Sequence, residues 1–518
     1  MIREIVAMPE YLHPGVYIEG IDRGPRPIEG VPTSTAAFLG ETERGPITPR
    51  LVTSYQEYQR WFGGIFGSDK FMPYSVDGFF ENGGARLYIC RLVDDTATAA
   101  EAAFGNFHVQ ANGPGSWGRR VWARIDDGST KRPDAAGVVV PIGFRLRVAY
   151  WASSPPFDWI AEDQRQPLPT VFEDFDDLVT DERSPDYYGR RLLDSSALVT
   201  LVPSEAASTD ERPTNDTLPL SSKGGDGSEA LDVADYRGLP NNDRVEPQGL
   251  SALELAPYQD VSLVYAPNAK ADVAKAVITH CEKLRYRFAV IECPQDATPT
   301  ADPRATIADT QFGAFYFPWI VVSDPQTGAR KVVPPGGHVL GVYARSDSER
   351  GVFKAPANAT LRGALALLTD IDDAMQDQLN QRGVNVIREF PGRGIRVWGA
   401  RTMSSDTLWK YVSVRRLFIF LERSIYAGTQ WTVFEPNDRR LWAAVVDAIR
   451  IFLRGQWRQG ALFGRTEEQA FYAICNETTM TPDDILNGRL ICEIGVAPVR
   501  PAEFVIFRIF QDTTEARR

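Results

Sequence analysis

A strand–helix–strand unit between residues 261 and 291 constrains the fold more than any other feature of the chain. Val261-Ser262-Leu263-Val264-Tyr265 reads as a buried strand, a helical pattern follows over about 270–285, and Arg287-Phe288-Ala289-Val290-Ile291 reads as the next strand. Two strands joined by a helix run parallel, and a parallel sheet must be covered on both faces. The same grammar appears earlier. Ser34-Thr35-Ala36-Ala37-Phe38-Leu39-Gly40 is an apolar run, Ser54-Tyr55-Gln56-Glu57-Tyr58 opens a helix behind a Thr/Ser cap, and Leu87-Tyr88-Ile89-Cys90-Arg91-Leu92-Val93 is a second strand. Between these halves the pattern changes. Val121-Trp122-Ala123-Arg124-Ile125 and Phe144-Arg145-Leu146-Arg147-Val148 alternate with period two among turn-rich stretches, as antiparallel strands do. The economical reading is an α/β domain, 31–95 and 251–383, split by a β-rich insertion over 96–250, whose stretch 204–238 reads as exposed, mobile loop.

After Gly383 the chain becomes more helical. Ser404 or Ser405 can cap a helix running to about Ala427 and ended by Gly428, and a second helix follows Pro436-Asn437-Asp438 and stops at Gly455. This region, 384–503, reads as a further domain; a chain of 518 residues holds roughly three or four.

The two ends read as strands without partners. Pro14-Gly15-Val16-Tyr17-Ile18-Glu19 is extended, and Gly24-Pro25-Arg26-Pro27 cannot make the tight turn of a hairpin. Phe504-Val505-Ile506-Phe507-Arg508-Ile509-Phe510 is apolar on both faces. Either each end pairs with a sheet of its own chain, or it is donated to the sheet edge of a neighbour; donation among identical copies gives an open polymer. The candidate donated residues are Val16, Tyr17, Ile18 and Glu19, and Phe504, Val505, Ile506, Phe507, Arg508 and Ile509.

The composition narrows the function. A formal net charge of −12 argues against a nucleic-acid partner. No apolar run reaches the roughly 20 residues that span a bilayer, and Met1-Ile2-Arg3-Glu4-Ile5 lacks a signal-peptide core, so a soluble, cytoplasm-made protein without membrane insertion is expected. Cys90, Cys281, Cys293, Cys475 and Cys492 lie in apolar segments without a CxxC pair and read as free, buried thiols. His13, His108, His280 and His338 show no metal-ligand spacing, and Gly336-Gly337-His338 reads as a turn. There is no Walker A sequence, and Gly392-Arg393-Gly394 lacks the third glycine of a dinucleotide fingerprint. Pro32-Thr33-Ser34-Thr35-Ala36 has the look of a serine-protease nucleophile loop, but the required order of aspartate, histidine and serine is missing. No catalytic residue, cofactor or metal is expected. Trp117, Trp122, Trp151 and Trp159 permit an adhesin-like insertion, although tryptophans in β modules are more often core.

One polar feature stands out. At 100° per residue, Trp442, Val445, Val446, Ile449 and Leu453 share one helix face, and Arg440, Asp447, Arg450 and Arg454 share the opposite one. That face is either solvated or an electrostatic docking surface for an acidic protein.

An ordered series of motifs resembles the tail sheath proteins of contractile phages and phage-derived contractile injection systems. At the front it comprises Pro14–Glu19, Arg26-Pro27-Ile28-Glu29-Gly30-Val31 and Ser34–Phe38. In the middle are Gly115-Ser116-Trp117-Gly118, Gly224-Gly225-Asp226-Gly227, Phe317-Pro318-Trp319, Pro334-Pro335-Gly336-Gly337-His338-Val339 and Gly351-Val352-Phe353-Lys354-Ala355-Pro356-Ala357-Asn358. Arg382-Gly383-Val384-Asn385, Val397-Trp398-Gly399-Ala400-Arg401-Thr402, Phe434-Glu435-Pro436-Asn437-Asp438 and Arg500-Pro501-Ala502-Glu503-Phe504 complete it.

The resemblance implies a multi-domain α/β plus β tail-sheath fold. Its parts would be a split α/β domain of subtilisin-like topology, an outward β-rich insertion, an α+β C-terminal domain lining the inside, and arms at 1–30 and 504–518. It implies that the arms add strands to the C-terminal domains of neighbouring subunits, with Gly20, Gly24 and Gly30 as bending points, and that Arg440, Arg450 and Arg454 are candidates for contact with an inner tube. The implied partners are further copies in stacked six-fold rings, the tube protein, the baseplate and a terminator or cap protein, with room for a second sheath paralogue, and neither nucleic acid nor direct insertion into a membrane. The implied function is mechanical. A sheath assembled in the bacterial cytoplasm, in a phage tail or a released injection particle, contracts and drives the tube through an envelope without a nucleotide. A baseplate or cap component of the same machine is the alternative; a hydrolase on the α/β domain is the enzymatic one. A single long chain argues against a type VI secretion sheath, which is built from two shorter proteins.

Overall fold

Strands that are apolar on both sides must be covered on both sides, and Ala36–Gly40, Phe288–Glu292 and Gly313–Phe317 are buried along their whole length. In the computed structural model all three belong to one nine-stranded sheet. The model describes residues 27–133, 137–160, 162–163, 165–205, 211–228, 230–238, 247–299, 303–304, 307–504 and 506. The expected strand residues Val16, Tyr17, Ile18, Glu19, Val505, Phe507, Arg508 and Ile509, and the expected bends Gly20 and Gly24, lie outside them.

The chain divides into two compact units, one of residues 30–423 and 498–518, the other of 1–29 and 424–497. In the larger unit the sheet order is Ala359–Thr360, Gly394–Val397, Val384–Phe390, Gly313–Phe317, Phe288–Glu292, Leu263–Tyr265, Ala36–Gly40, Leu87–Arg91 and Arg50–Val52. From Val384–Phe390 across to Leu87–Arg91 all neighbours run parallel, and antiparallel strands close both edges. The crossover helix Ala271–Leu284 joins Leu263–Tyr265 to Phe288–Glu292, the unit read from the sequence. The sheet continues past residue 383 because Val384 pairs with Phe315 in parallel register. Phe38 anchors the core edge-on to Phe79 and Tyr265, with ring centroids 5.5 and 5.1 Å away, contacts worth about 1 kcal/mol each beyond area burial.

Two helices over the sheet approach unusually closely. A Cβ at Gly337 would lie 2.3 Å from the Ser75 carbonyl oxygen, and one at Gly341 2.4 Å from that of Phe79. Helix Gly336–Arg350 therefore starts at the glycines that read as a turn, because only glycine lets it seat on helix Met72–Glu81.

The insertion forms two four-stranded antiparallel sheets. One contains Val171–Leu178, Phe144–Tyr150, Val121–Asp127 and Asp216–Pro219; the other contains Val199–Pro203, Phe107–Ala111, Thr98–Phe104 and Ser222–Gly225. Their inward residues, among them Phe104, Val109, Ile125 and Leu146, share one core with Trp117 of the short turn of helix Ser116–Arg120. All four tryptophans are buried, as core residues are. Part of the expected 204–238 loop is ordered structure. Asp216–Pro219 and Ser222–Gly225 pair with the two sheets, and Asp232 caps a short helix at Val233–Arg237.

The helix expected from Ser404 or Ser405 begins at Val412 instead. The polar side chains there bond to nearby backbone: Asp406 N–H to Ser404 Oγ, Leu408 N–H to Asp406 Oδ1, and Ser405 N–H to Asp309. In the smaller unit, helix Arg439–Arg458 begins after Asp438, whose carboxylate accepts from the N–H groups of Arg440 and Leu441. It runs through Gly455, and the left-handed turn that ends it falls at Gly460, with φ 87°.

Candidate functional site: two fastened segments and a short strand pair

The N-terminal segment is fastened where it enters the large unit. Asp347, on helix Gly336–Arg350, accepts the Thr33 hydroxyl at 2.7 Å and a two-pronged Arg416 guanidinium at 3.0 and 2.6 Å. Arg416 also donates to the Thr33 carbonyl at 2.9 Å and lies over the Tyr343 ring. The charged side chains are 3% and 4% exposed, so each holds the other in a place neither could occupy alone. Three residues upstream, Gly30 has Phe420 so close that a Cβ would come within 2.9 Å of its ring.

The C-terminal segment has its own fastening. Glu503 receives Arg401 through two hydrogen bonds of 2.6 and 2.7 Å, with Tyr411 Oη at 3.3 Å and Lys410 Nζ at 3.6 Å. Burial pushes the Glu503 carboxyl up, but the Arg401 hydrogen bonds and the surrounding positive charge outweigh it and hold the group below its ordinary value. Arg401 is itself fixed, donating to the Asn380 carbonyl at 2.6 Å, while its N–H bonds Asn385 Oδ1. Immediately beyond this clasp, Phe504 and Ile506 are 72% and 78% exposed.

The smaller unit carries the arginine face. Helix Arg439–Arg458 buries Leu441, Trp442, Val445, Ala448, Ile449, Phe452 and Leu453, close to the stripe read from the sequence. Arg440, Asp447 and Arg450 are exposed, but Arg454 is occupied by Glu467 at 2.7 and 3.1 Å. The three arginines therefore do not act alike: among the described residues Arg440 and Arg450 make no such ion pair.

Against this helix lies a two-stranded antiparallel sheet, Phe471–Ile474 with Glu493–Val496, and among the described residues no third strand flanks it. Phe471 and Ala473 are buried while Tyr472 and Ile474 are exposed. Tyr472 packs across Gly495, where a Cβ would fall 2.1 Å from its ring. A groove of about 440 Å³ runs between the helix and the Phe471–Ile474 strand, lined by Trp442, Val446, Arg450, Ala473 and Ile474 among others.

None of the four clasp residues was legible as a site residue, since Arg401 and Glu503 are 102 positions apart and Asp347 and Arg416 are 69 apart. The only pointer was that Arg401 and Glu503 fall within two of the resembling motifs.

Comparison with known proteins identifies a structural class, not an enzymatic one. The model of the phage tail sheath protein central domain matches residues 242–403, and that of the phage tail sheath C-terminal domain matches residues 404–512. The chain belongs to the phage tail sheath protein family. A prophage tail sheath relative from Pseudomonas aeruginosa strain UCBPP-PA14 is 26% identical over 257 residues, 48% of this chain and 64% of the relative. The tail sheath protein of Salmonella phage ViI is 25% identical over 281 residues, 48% of this chain and 42% of its own length. The alignments thus span less than two thirds of these relatives. Among solved structures, the contracted sheath complex of the PVC extracellular contractile injection system is similar with a TM-score of 0.58 at 24% identity, covering 98% of this chain and 99% of that one. The contracted helical sheath of the anti-feeding prophage gives 0.58 at 22% identity, covering 96% and 99%. These likenesses establish a mixed α/β, multi-sheet fold shared with tail sheaths over nearly the whole chain.

Proposed function

We propose that this chain is the repeating subunit of a contractile sheath that polymerises around an inner tube and, on triggering, drives the tube through a target envelope. The observation that carries the reading is the combination of two fastened segments, at Thr33 and Glu503, with a short strand pair that no third strand flanks among the described residues. An arm rooted at Thr33 and another rooted at Glu503 would each reach a neighbour's Phe471–Ile474 or Glu493–Val496 strand and complete its sheet through main-chain hydrogen bonds. Val16–Glu19 and Phe504–Ile509 are the donated segments in this reading, and Gly20, Gly24 and Gly30 let the N-terminal arm bend as subunits turn. The α/β domain has the split, subtilisin-like topology, the insertion faces outward, and the C-terminal domain faces the tube. Arg440 and Arg450 meet the tube, with Arg454 in a supporting role.

The energy for contraction lies in the difference between two packings of the same chain, so the machine needs no nucleotide. The partners are further copies in stacked six-fold rings, the tube, the baseplate and a terminator, with room for a sheath paralogue. The particle is a phage tail or a contractile injection particle assembled in the bacterial cytoplasm. Electron microscopy of the purified full-length chain beside a version lacking residues 1–25 tests the reading. Hollow striated cylinders from the full-length protein alone support it; discrete monomers or closed rings from both would overturn it.

A further inference from the structure

Cys475 directly follows the strand Phe471–Ile474, and Cys492 directly precedes Glu493–Val496. Ile474 stands opposite Glu493 in the antiparallel register, so the next pair outward is Cys475 with Cys492. Ala497 donates its N–H to the Ala470 carbonyl at 2.9 Å, which marks 470/497 as a hydrogen-bonded position. By alternation 471/496, 473/494 and 475/492 are the close, non-hydrogen-bonded positions, whose Cα atoms are about 4.5 Å apart, inside the span a disulfide bridges. By the same alternation Cys475 lies on the face of the buried Phe471 and Ala473, and Cys492 stands opposite it on that face. Both residues are free cysteines. Cys475 also lines the groove beside the helix, and Cys492 is only half-buried, so a small reagent has access. The remaining thiols, Cys90, Cys281 and Cys293, are buried in the core of the large unit.

We propose that Cys475 and Cys492 form a redox pair, and that a low-molecular-weight disulfide converts them into an intramolecular bridge across the two strands. The Cys492 thiolate attacks one sulfur of the oxidant, forming a mixed disulfide and expelling one small thiolate. The Cys475 thiolate then attacks the Cys492 sulfur, forming the protein bridge and expelling the second. Two protein thiols lose two protons and two electrons, and one small disulfide becomes two thiols. The bridge closes the loop 476–491, including helix Pro482–Leu486, and joins the ends of strands only four residues long. A two-stranded sheet is marginal by itself, so this bond acts on an element with little stability of its own. Burial raises both thiols, Cys492 to about 11, so the reaction is slow near neutrality and its rate rises about tenfold per pH unit in the mildly alkaline range. The inference does not depend on the sheath reading.

The test is oxidation of the full-length protein with oxidised glutathione at pH 7.5 and at pH 8.5, followed by digestion without reductant and mass spectrometry. The expected result is a peptide pair linked through Cys475 and Cys492, lighter by two hydrogen masses than its separate reduced halves, with Cys90, Cys281 and Cys293 recovered as thiols. Hydrogen exchange at 471–474 should slow by about tenfold or more in the oxidised protein and return to its original rate with reductant. Cys492→Ser should yield no linked pair while melting like the reduced wild type, which separates loss of the bridge from loss of the fold. Recovery of both residues as stable glutathione adducts, as unreacted thiols, or in bridges to other chains would overturn the proposal.

Discussion

Asp347 and Arg416, 69 positions apart, meet through hydrogen bonds of 2.6 and 3.0 Å at a site where each side chain is less than 5% exposed, and between them they hold Thr33. A charge buried this deeply tolerates loss of its partner badly. Asp347→Asn should destabilise the protein by about 3–5 kcal/mol, read as a lower denaturant midpoint with an unchanged slope. The double variant Asp347→Asn/Arg416→Met, which leaves no buried charge, should recover most of that loss.

The Glu503 clasp predicts an acid-sensitive C-terminal root. The folded carboxyl lies below its ordinary value, so its contribution is fully present above the unfolded value and is lost as pH falls through the folded one. Hydrogen exchange over 498–504, corrected for the intrinsic pH effect, should therefore quicken toward acid. Glu503→Gln should speed it at neutral pH by roughly 5–30-fold, the equivalent of one to two kcal/mol, and flatten the dependence on pH.

Glu292 predicts the opposite sign. Burial raises its carboxyl to about 7, although it accepts hydrogen bonds from Tyr265 Oη and from the N–H groups of Asn268 and Gly336. An acid whose folded value is raised favours the folded state when protonated. Its cost is absent below the unfolded value, grows between there and about pH 7, and is complete above that. Relative to Glu292→Gln, the wild type should lose stability on the order of 3 kcal/mol between pH 4.5 and pH 8, measured by chemical denaturation across that range.

The arginine face predicts a division of labour. Arg440→Glu/Arg450→Glu should leave the melting temperature within about 2 °C, because both residues are exposed and outside local ion pairs. The same variant should weaken tube-templated assembly, most clearly at low salt. Unchanged assembly would remove the tube contact from the proposed function.

Much of the fold is legible because it is local. Ala36–Gly40, Leu87–Arg91 and the unit from Leu263 to Glu292 carry apolar runs and a helical period that need no tertiary information. The readings fail where a distant contact decides. Ser404 and Ser405 look like caps, yet the side chains of Ser404 and Asp406 bond the backbone of a turn that delays the helix to Val412. Gly336 to His338 look like a turn, yet the close approach of Ser75 and Phe79 makes them the start of a helix. The clasps are hidden for the same reason: no pattern of spacing joins Thr33 to Asp347, 314 positions away, or Arg401 to Glu503. The arginine face shows a finer limit. Its period is correct, but only the fold reveals that Glu467 occupies Arg454.

The clasp between Arg401 and Glu503 also sets a load path. A pull applied to the chain beyond residue 503 enters the large sheet through one guanidinium, bypassing the 102 positions of polypeptide that separate the two residues. Arg401 passes it on through Asn385, which belongs to the Val384–Phe390 strand, to the Phe315 carbonyl on the neighbouring strand. Tension beyond residue 503 thus has a route into two paired parallel strands that does not run through the intervening segment and its short strand pair.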